Sequence, residues 1–350
     1  MKICVVGGTG NISSGIVNVL LEHNHEVVCF NRGIRGRLPD GVRLIKGDRS
    51  NSKDFEDKIK SENFDAAIDM LCFNAQQAKS SIRAFKNVKH FVMCSTVGTY
   101  GNKYNLFPVD ENHPIRPADG YSHNKAEADS VFMDAYEKNN FPVTIIKSST
   151  VYGPKGGLIR QVASVDFSWI DRVRKGKPII VCADGNAIHQ FIYADDAGLA
   201  FSGVLGKKHC IGQNYILANK GFITWNEYHH TAMKVIGREV ELVGVPLANL
   251  EKMKVPGLDL CKNYFSHNAY YSADKLTRDV PEFKPKVSLE SGMRKVIKEM
   301  DKNGKIPNSD EKNWWEDQII KSQRKVKITI SNKIAKLLFK IKRKIRILQS

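Results

Sequence analysis

The first fifteen residues constrain this chain more than any other stretch. Lys2-Ile3-Cys4-Val5-Val6 is a short apolar run that ends at Gly7-Gly8-Thr9-Gly10-Asn11-Ile12-Ser13, and Val17, Leu20 and Leu21 then mark one face of an amphipathic helix. An apolar run bounded by glycine reads as a buried parallel strand. Gly7 and Gly10 permit a tight turn and close approach to a pyrophosphate, which then sits on the helix N-terminus. Strand, glycine turn and helix in that order predict a dinucleotide-binding unit, with Gly7, Thr9, Gly10, Asn11 and Ile12 in contact with the cofactor; a plain βα turn is the competing reading. Ser13 holds the third glycine position, a departure expected to loosen helix–strand packing.

The strands that follow carry the same logic. Glu26 to Phe30 is a second strand ending at Asn31-Arg32-Gly33, with Arg35 and Arg37 close behind. An acid here would hold the ribose 2′-hydroxyl of NAD; Asn31 and a guanidinium fork at Arg32 suit a 2′-phosphate and favour NADP, with NAD the alternative and a solvated basic loop the plain reading. Val42 to Lys46 precedes Gly47-Asp48-Arg49, where the Asp48 carboxylate is placed to accept from an adenine amino group. Phe64 to Met70 is the fourth strand, and Arg49 and Leu71 complete the expected cofactor contacts. Asp69, odd in that apolar strand, reads as a cap or a cleft-facing group rather than a catalytic one.

Lys89 to Cys94 is the fifth strand, followed by hydroxyls at Ser95, Thr96 and Thr99. Open α/β sheets bind ligands at the carboxyl ends of such strands. Tyr121 and Lys125 come next. On a helix, positions i and i+4 share a face, and an ammonium lowers the pKa of a nearby phenol. A tyrosine so placed exchanges a proton with a hydroxyl or carbonyl while a nicotinamide exchanges a hydride. A surface Tyr and a solvated Lys are the competing reading. Pro142 to Ile146 is the sixth strand, closing at Val151-Tyr152-Gly153-Pro154. This alternation predicts a doubly wound parallel α/β sheet.

After Pro154 the pattern loosens. Residues 1–154 read as the Rossmann domain, with chain returning to it over about 186–220; 155–306 read as a smaller substrate-binding lobe; 307–350 read as a linker and tail. Thr224 to Glu227 has the form of a capping box opening a helix, and His229-His230 inside it reads as surface or packing. The seven cysteines have no metal-ligand spacing and look like reduced core residues of a cytoplasmic protein. No metal site is expected, and no opening segment resembles a signal peptide.

Of the formal net charge of +17, eleven positive charges lie between Lys321 and Ser350 with no acid among them, leaving +6 for the rest. Ile334, Leu337, Leu338, Ile341, Ile345 and Leu348 recur there at helical spacing, with Lys333, Lys336, Lys340, Arg343 and Lys344 filling other positions. This basic amphipathic helix suits an anionic membrane surface and would make the protein peripheral on the inner face. Nucleic acid, a protein partner, packing on the body and a disordered end are the alternatives.

Together, Gly7-Gly8-Thr9-Gly10, Gly47-Asp48, Ser95-Thr96, Tyr121 to Lys125, Val151-Tyr152-Gly153-Pro154 and Phe191 to Asp196 resemble the extended short-chain dehydrogenase/reductase superfamily, in its NAD(P)-dependent epimerase/dehydratase branch. Tyr271 to Lys275 and Phe283-Lys284-Pro285 are similar to its closing pattern. The resemblance implies Thr96, Tyr121 and Lys125 as catalytic residues, with Thr96 holding the reacting oxygen and Lys125 binding the nicotinamide ribose. It also implies Asp48 as the adenine contact, Thr96, Thr150 and His189 as substrate contacts, and a homodimer. The activity implied is an epimerase or reductase acting on a sugar, expected to be nucleotide-linked. Val97-Gly98 stand where sugar dehydratases carry Asp-Glu, which disfavours dehydration. His189 replaces an arginine that grips a diphosphate, and Lys147-Ser148 replace Arg-Pro. The chain is also similar to an atypical subgroup that includes the chloroplast stem-loop RNA-binding proteins, so a non-catalytic RNA-binding or regulatory protein is the alternative.

Overall fold

The computed structural model describes residues 1–348, without the side chains of 326–331 and 343–348. Among the tail positions singled out above, the side chains of Arg343, Lys344, Ile345 and Leu348 therefore lie outside the described residues.

The strands are β1 (Lys2–Val6), β2 (Glu26–Asn31), β3 (Arg43–Lys46), β4 (Ala66–Asp69), β5 (His90–Thr96), β6 (Val143–Ser148), β7 (Thr150–Tyr152), β8 (Ile179–Cys182), β9 (Ile188–His189), β10 (Phe191–Tyr193), β11 (Asn214–Leu217), β12 (Ile223–Thr224) and β13 (Leu242–Val245). The helices are α1 (Asn11–Glu22), α2 (Ser52–Lys60), α3 (Ala75–Ala84), α4 (Gly120–Asn139), α5 (Ser168–Arg174), α6 (Ala194–Val204), α7 (Trp225–Ile236), α8 (Leu247–Lys252), α9 (Asp274–Asp279), α10 (Leu289–Lys302), α11 (Ser309–Lys312) and α12 (Trp314–Leu348).

Side-chain alternation explains the central layer. Ile3 and Val5 of β1, with Val27 and Cys29 of β2, face a core shared with α1 and α6. Cys4, Val6, Val28 and Phe30 face the opposite core, shared with α2, α3 and α4. A sheet buried on both faces reads as unbroken apolar runs, as these strands do. The order is β11-β6-β5-β4-β1-β2-β3, and every pairing is parallel. The seventh strand, β11, comes from the returning segment.

The expected loosening at Ser13 does not occur. Ser13 is buried, and its hydroxyl accepts from the Gly10 N–H at 2.8 Å, tightening the turn. Close helix approach happens one turn on. A Cβ on Gly15 would stand 2.1 Å from the Ala194 carbonyl oxygen, and one on Gly198 would stand 2.5 Å from that of Gly15. Glycine at both positions is what lets α1 lie directly on α6.

The later chain forms a lobe around Trp169, Trp225, Tyr228 and Met293, packed between α5, α7 and α10. Thr224 and Glu227 make the expected capping box on α7. The segment after residue 306 differs from the expected linker. Ser309, Asn313 and Glu316 are buried, and Ile319 and Ile320 join a cluster with Val243, Val245 and Leu250. The Glu316 carboxylate accepts from Arg160 Nη1 and Nη2 at 2.9 and 2.7 Å and from the Ile180 N–H at 2.6 Å. The root of α12 is thus part of the lobe. No helix of the described residues is long and apolar enough to cross a membrane, and no group of three or more His, Cys, Asp or Glu among them is placed to hold a metal.

Candidate active site

A cleft of about 690 Å³ opens at the carboxyl ends of β1, β2 and β3. Gly7, Thr9, Gly10 and Asn11 form its floor, with Asn31, Arg32, Asp48, Arg49 and Leu71 around the rim. Gly7 has φ +93°, and a Cβ there would meet Leu71 Cγ at 2.6 Å, so the turn needs glycine for its backbone and for its space. Ile12 sits in the first turn of α1, where backbone N–H groups lack intrahelical partners, and its side chain packs on the core.

The rim residues are arranged by local chemistry. Asn31 Oδ1 accepts from the Gly33 N–H at 2.8 Å, while its buried Nδ2 has no partner. Asp48 accepts from the Ser50 N–H and hydroxyl at 2.9 and 2.7 Å. Those bonds, and after them the charge of Arg32, hold its carboxyl below the usual carboxylate range. Arg32 itself is exposed. Two positions expected as cofactor contacts have other commitments. Arg49 is buried, donating to Gln77 O and Ser81 Oγ at 2.7 and 2.8 Å and pairing with Asp69 at 3.5 Å; only its Nε and Nη1 lack partners. The Asn11 amide donates to Val151 O and accepts from the Gly156 N–H, so its side chain ties the glycine turn to a loop of the later chain. Asp69 is likewise structural: it accepts from the Leu71 N–H and Ser81 Oγ at 2.8 and 2.6 Å.

Phe73 links this cleft to Tyr121 and Lys125. It lines the cavity, its ring centroid lies 6.3 Å from that of Tyr121, and Lys125 Nζ stands 5.4 Å from it. Asp119 caps α4 by accepting from the Ser122 N–H. Lys125 is buried, with its ammonium on two backbone carbonyls, Cys72 O at 2.8 Å and Cys94 O at 2.5 Å. The expected lowering of the phenol pKa does not appear. Tyr121 is half exposed; partial desolvation of its hydroxyl still raises it above its ordinary value, and Cys94, Asp119 and Asp129 add to the shift. The physical reason is that carbonyl oxygens engage the lysine while the charges of Asp119 and Asp129 oppose ionisation of the phenol.

Thr96 ends β5, and its hydroxyl accepts from the Gly98 N–H at 3.1 Å, capping the short 3-10 turn Val97–Tyr100. Thr150 and His189 stand apart on β7 and β9, bonded to each other at 2.7 Å. His189 is held inside the later lobe, and its Nδ1 has no hydrogen-bond partner. It is buried, stacked on Trp225 and edged by Phe265, and burial lowers its pKa to about 3. Of the neighbouring pair, His229 is buried in the same aromatic lobe and His230 pairs with Glu239 at the surface.

Three contributors escaped the sequence reading. Lys155 and Lys305 line the cleft; Lys155 follows a recognisable Tyr-Gly-Pro turn, whereas Lys305 carries no local signal. Tyr264, on the π-helical turn Cys261–Phe265, places its hydroxyl 2.7 Å from Ser122 Oγ. A Cβ at Gly98 would meet Ser122 Oγ at 2.5 Å and Tyr264 Oη at 3.3 Å. The later lobe thus sends a phenol to the space a side chain at position 98 would need. Such turns are frequent at functional sites.

Comparison with known proteins bears on this geometry. The family model of the NAD dependent epimerase/dehydratase family matches residues 3–84 and 74–217. The chain is 28% identical over 247 residues to the 2'-dehydrokanamycin reductase of Streptomyces kanamyceticus, covering 70% of each chain. It is 24% identical over 239 residues to the chloroplast stem-loop binding protein of 41 kDa b of Arabidopsis thaliana, covering 64% of this chain and 60% of that protein. The fold matches that of UDP-glucuronic acid 4-epimerase from Bacillus cereus in complex with UDP-glucuronic acid and NAD, with TM-score 0.67 and 20% identity over 87% of this chain and 100% of that one.

Proposed function

The chain belongs to the NAD dependent epimerase/dehydratase family, and within it we propose an NADP-preferring reductase or epimerase of a sugar, nucleotide-linked by expectation. The observation that carries this reading is the single cleft that gathers the glycine turn, Asn31, Arg32 and Asp48 and ends at Phe73, beside Tyr121 and Lys125.

The residues fit a nicotinamide dinucleotide. The first-turn amides of α1 suit a pyrophosphate. The partnerless Asn31 Nδ2 suits a ribose oxygen, and Arg32, with Lys155 and Lys305 in the same cleft, suits a 2′-phosphate. Asp48 keeps its charge and suits an adenine amino group. When bound, the cofactor supplies hydride exchange. Tyr121 supplies the proton: nothing around it lowers its phenol below the ordinary value, so at neutral pH it can give a proton to a carbonyl oxygen as that oxygen becomes a hydroxyl. Thr96 offers a hydroxyl to the reacting oxygen, and Tyr264 with Ser122 offers two more. Dehydration is disfavoured, because Val97-Gly98 carry no acid and the space beside Gly98 is filled.

The similarity to the plant stem-loop binding protein supports a second reading, an RNA-binding protein on the same fold. Fluorescence titration of the full chain with NADPH and NADH, followed by turnover on oxo-sugars and sugar nucleotides, separates the two. Saturable NADPH binding and turnover that Tyr121→Phe abolishes, without loss of NADPH affinity, are the expected results. Stoichiometric consumption of NADPH identifies a reductase, and conversion without net consumption an epimerase. Binding of neither cofactor overturns the enzyme reading.

A further inference from the structure

The most unusual surface of the molecule is the outer part of α12. Its root is held by Glu316 in the lobe, and Arg324 still reaches Glu241 at 2.6 Å. From Asn332 to Lys342 every side chain is exposed. Ile334, Leu337, Leu338 and Ile341 are 53, 59, 54 and 46% exposed, although their spacing of i, i+3, i+4 and i+7 puts them in one stripe. On the helical wheel Lys333 and Lys340 flank that stripe on one side and Lys342 on the other. Lys336 and Phe339 lie behind it. No Asp or Glu occurs after Asp317.

Four large aliphatic side chains in one solvent-facing row call for a partner, and the charges choose it. A second copy of this helix laid along the stripe would bring lysine flanks against lysine flanks with no acid to pair them. A nucleic acid would engage the lysines and leave the stripe in water. An anionic lipid surface satisfies both: the aliphatic row enters the acyl boundary while the flanking lysines reach outward to the headgroups. We propose that residues 332–342 of α12 bind an anionic membrane surface, lying in its plane rather than crossing it, and that the buried root of the helix holds the globular body to that surface.

The test is sedimentation of the full chain with vesicles of phosphatidylcholine alone or with about 30% phosphatidylglycerol, the anionic lipid drawing the lysines. Binding to the anionic vesicles should be about tenfold or more stronger than to the neutral ones and should weaken with added salt. Leu337→Gln with Ile341→Gln should abolish it without shifting the melting curve, since both residues are exposed. Lys333→Gln with Lys340→Gln should bring anionic and neutral vesicles close to parity. Equal binding to both vesicle types, or full binding by the Leu337→Gln/Ile341→Gln variant, overturns the proposal. Self-association abolished by that variant would instead assign the stripe to a second copy. Binding of a single-stranded RNA oligomer that the variant leaves intact, without vesicle binding, would assign the lysines to nucleic acid.

Discussion

Glu316→Ala should destabilise the protein far more than its position near the end of the chain suggests. Glu316, Arg160 and Arg172 are all fully buried. The carboxylate accepts two bonds from Arg160, one from the Ile180 N–H and one from Asn313 Nδ2 at 3.1 Å. Without it, Arg160 keeps only Asp166 at 3.8 Å and the Ile180 carbonyl at 3.3 Å, while Arg172 retains Asp317. Breaking a buried pair by removing one partner costs about 3–5 kcal/mol, because a charge is left without compensation. The orphaned Ile180 amide falls within the same loss. At about 2 °C per kcal/mol for a chain of this size, the melting temperature should fall by roughly 6–10 °C. Circular dichroism melts at neutral pH, in low and in about 0.5 M salt, read this directly, and the difference should persist in salt because the pair is shielded from counterions. Arg160→Met combined with Glu316→Leu should recover most of the loss, since apolar replacement of a whole buried pair is often neutral. A loss below about 1 kcal/mol, the value of an exposed pair, or one that vanishes in salt, would refute the reasoning.

Arg32→Ala should weaken NADPH binding about tenfold or more and leave NADH binding nearly unchanged, because only the 2′-phosphate needs the guanidinium; equal losses for both cofactors in a fluorescence titration would remove Arg32 from that role. Gly15→Ala puts a Cβ 2.1 Å from the Ala194 carbonyl, so α1 and α6 must part; the expected loss is about 1–3 kcal/mol by urea denaturation, with weaker NADPH binding as the glycine turn shifts, and an unchanged midpoint would show that the helices separate freely. His90, His189 and His229 are held neutral by burial, with pKa values lowered from 6.5 to about 4, 3 and 3. The unfolded chain binds up to three more protons than the folded one below pH 6.5, so their stabilisation is complete above that pH and is lost as pH falls toward 4 and then 3; about 4 kcal/mol should disappear between pH 7.5 and 5.5, and a flat stability profile there would contradict the burial of these rings as neutral groups. Tyr264→Phe should raise KM for the sugar substrate several-fold with little change in NADPH affinity, because it removes one hydroxyl beside Ser122; an unchanged KM would confine Tyr264 to packing.

The sequence by itself determined the features that depend on near neighbours along the chain. The glycine turn, the strands with apolar residues on both faces, the capping box at Thr224 and the spacing of Tyr121 and Lys125 follow from backbone sterics and from periods of 2 and 3.6 residues. The Asp48 carboxylate meets the hydroxyl and amide of Ser50, two residues away, a local setting that the sequence reading did not name. The fold class followed from these local signals because parallel strands must alternate with crossovers. Only the tertiary structure decided what each side chain meets across the fold. Arg49 Nη2 is committed to Gln77 and Ser81, 28 and 32 residues away, while the residue still lines the cleft. His189 became an aromatic core residue because Trp225 and Phe265 fold onto it, and the two carbonyls that hold Lys125 lie 53 and 31 residues away. Gly15 acquired its purpose from Ala194, Tyr264 from Gly98, and Glu316 from Arg160, at separations that carry no periodicity. Desolvation and long-range pairing depend on three-dimensional neighbours, and no local pattern encodes them.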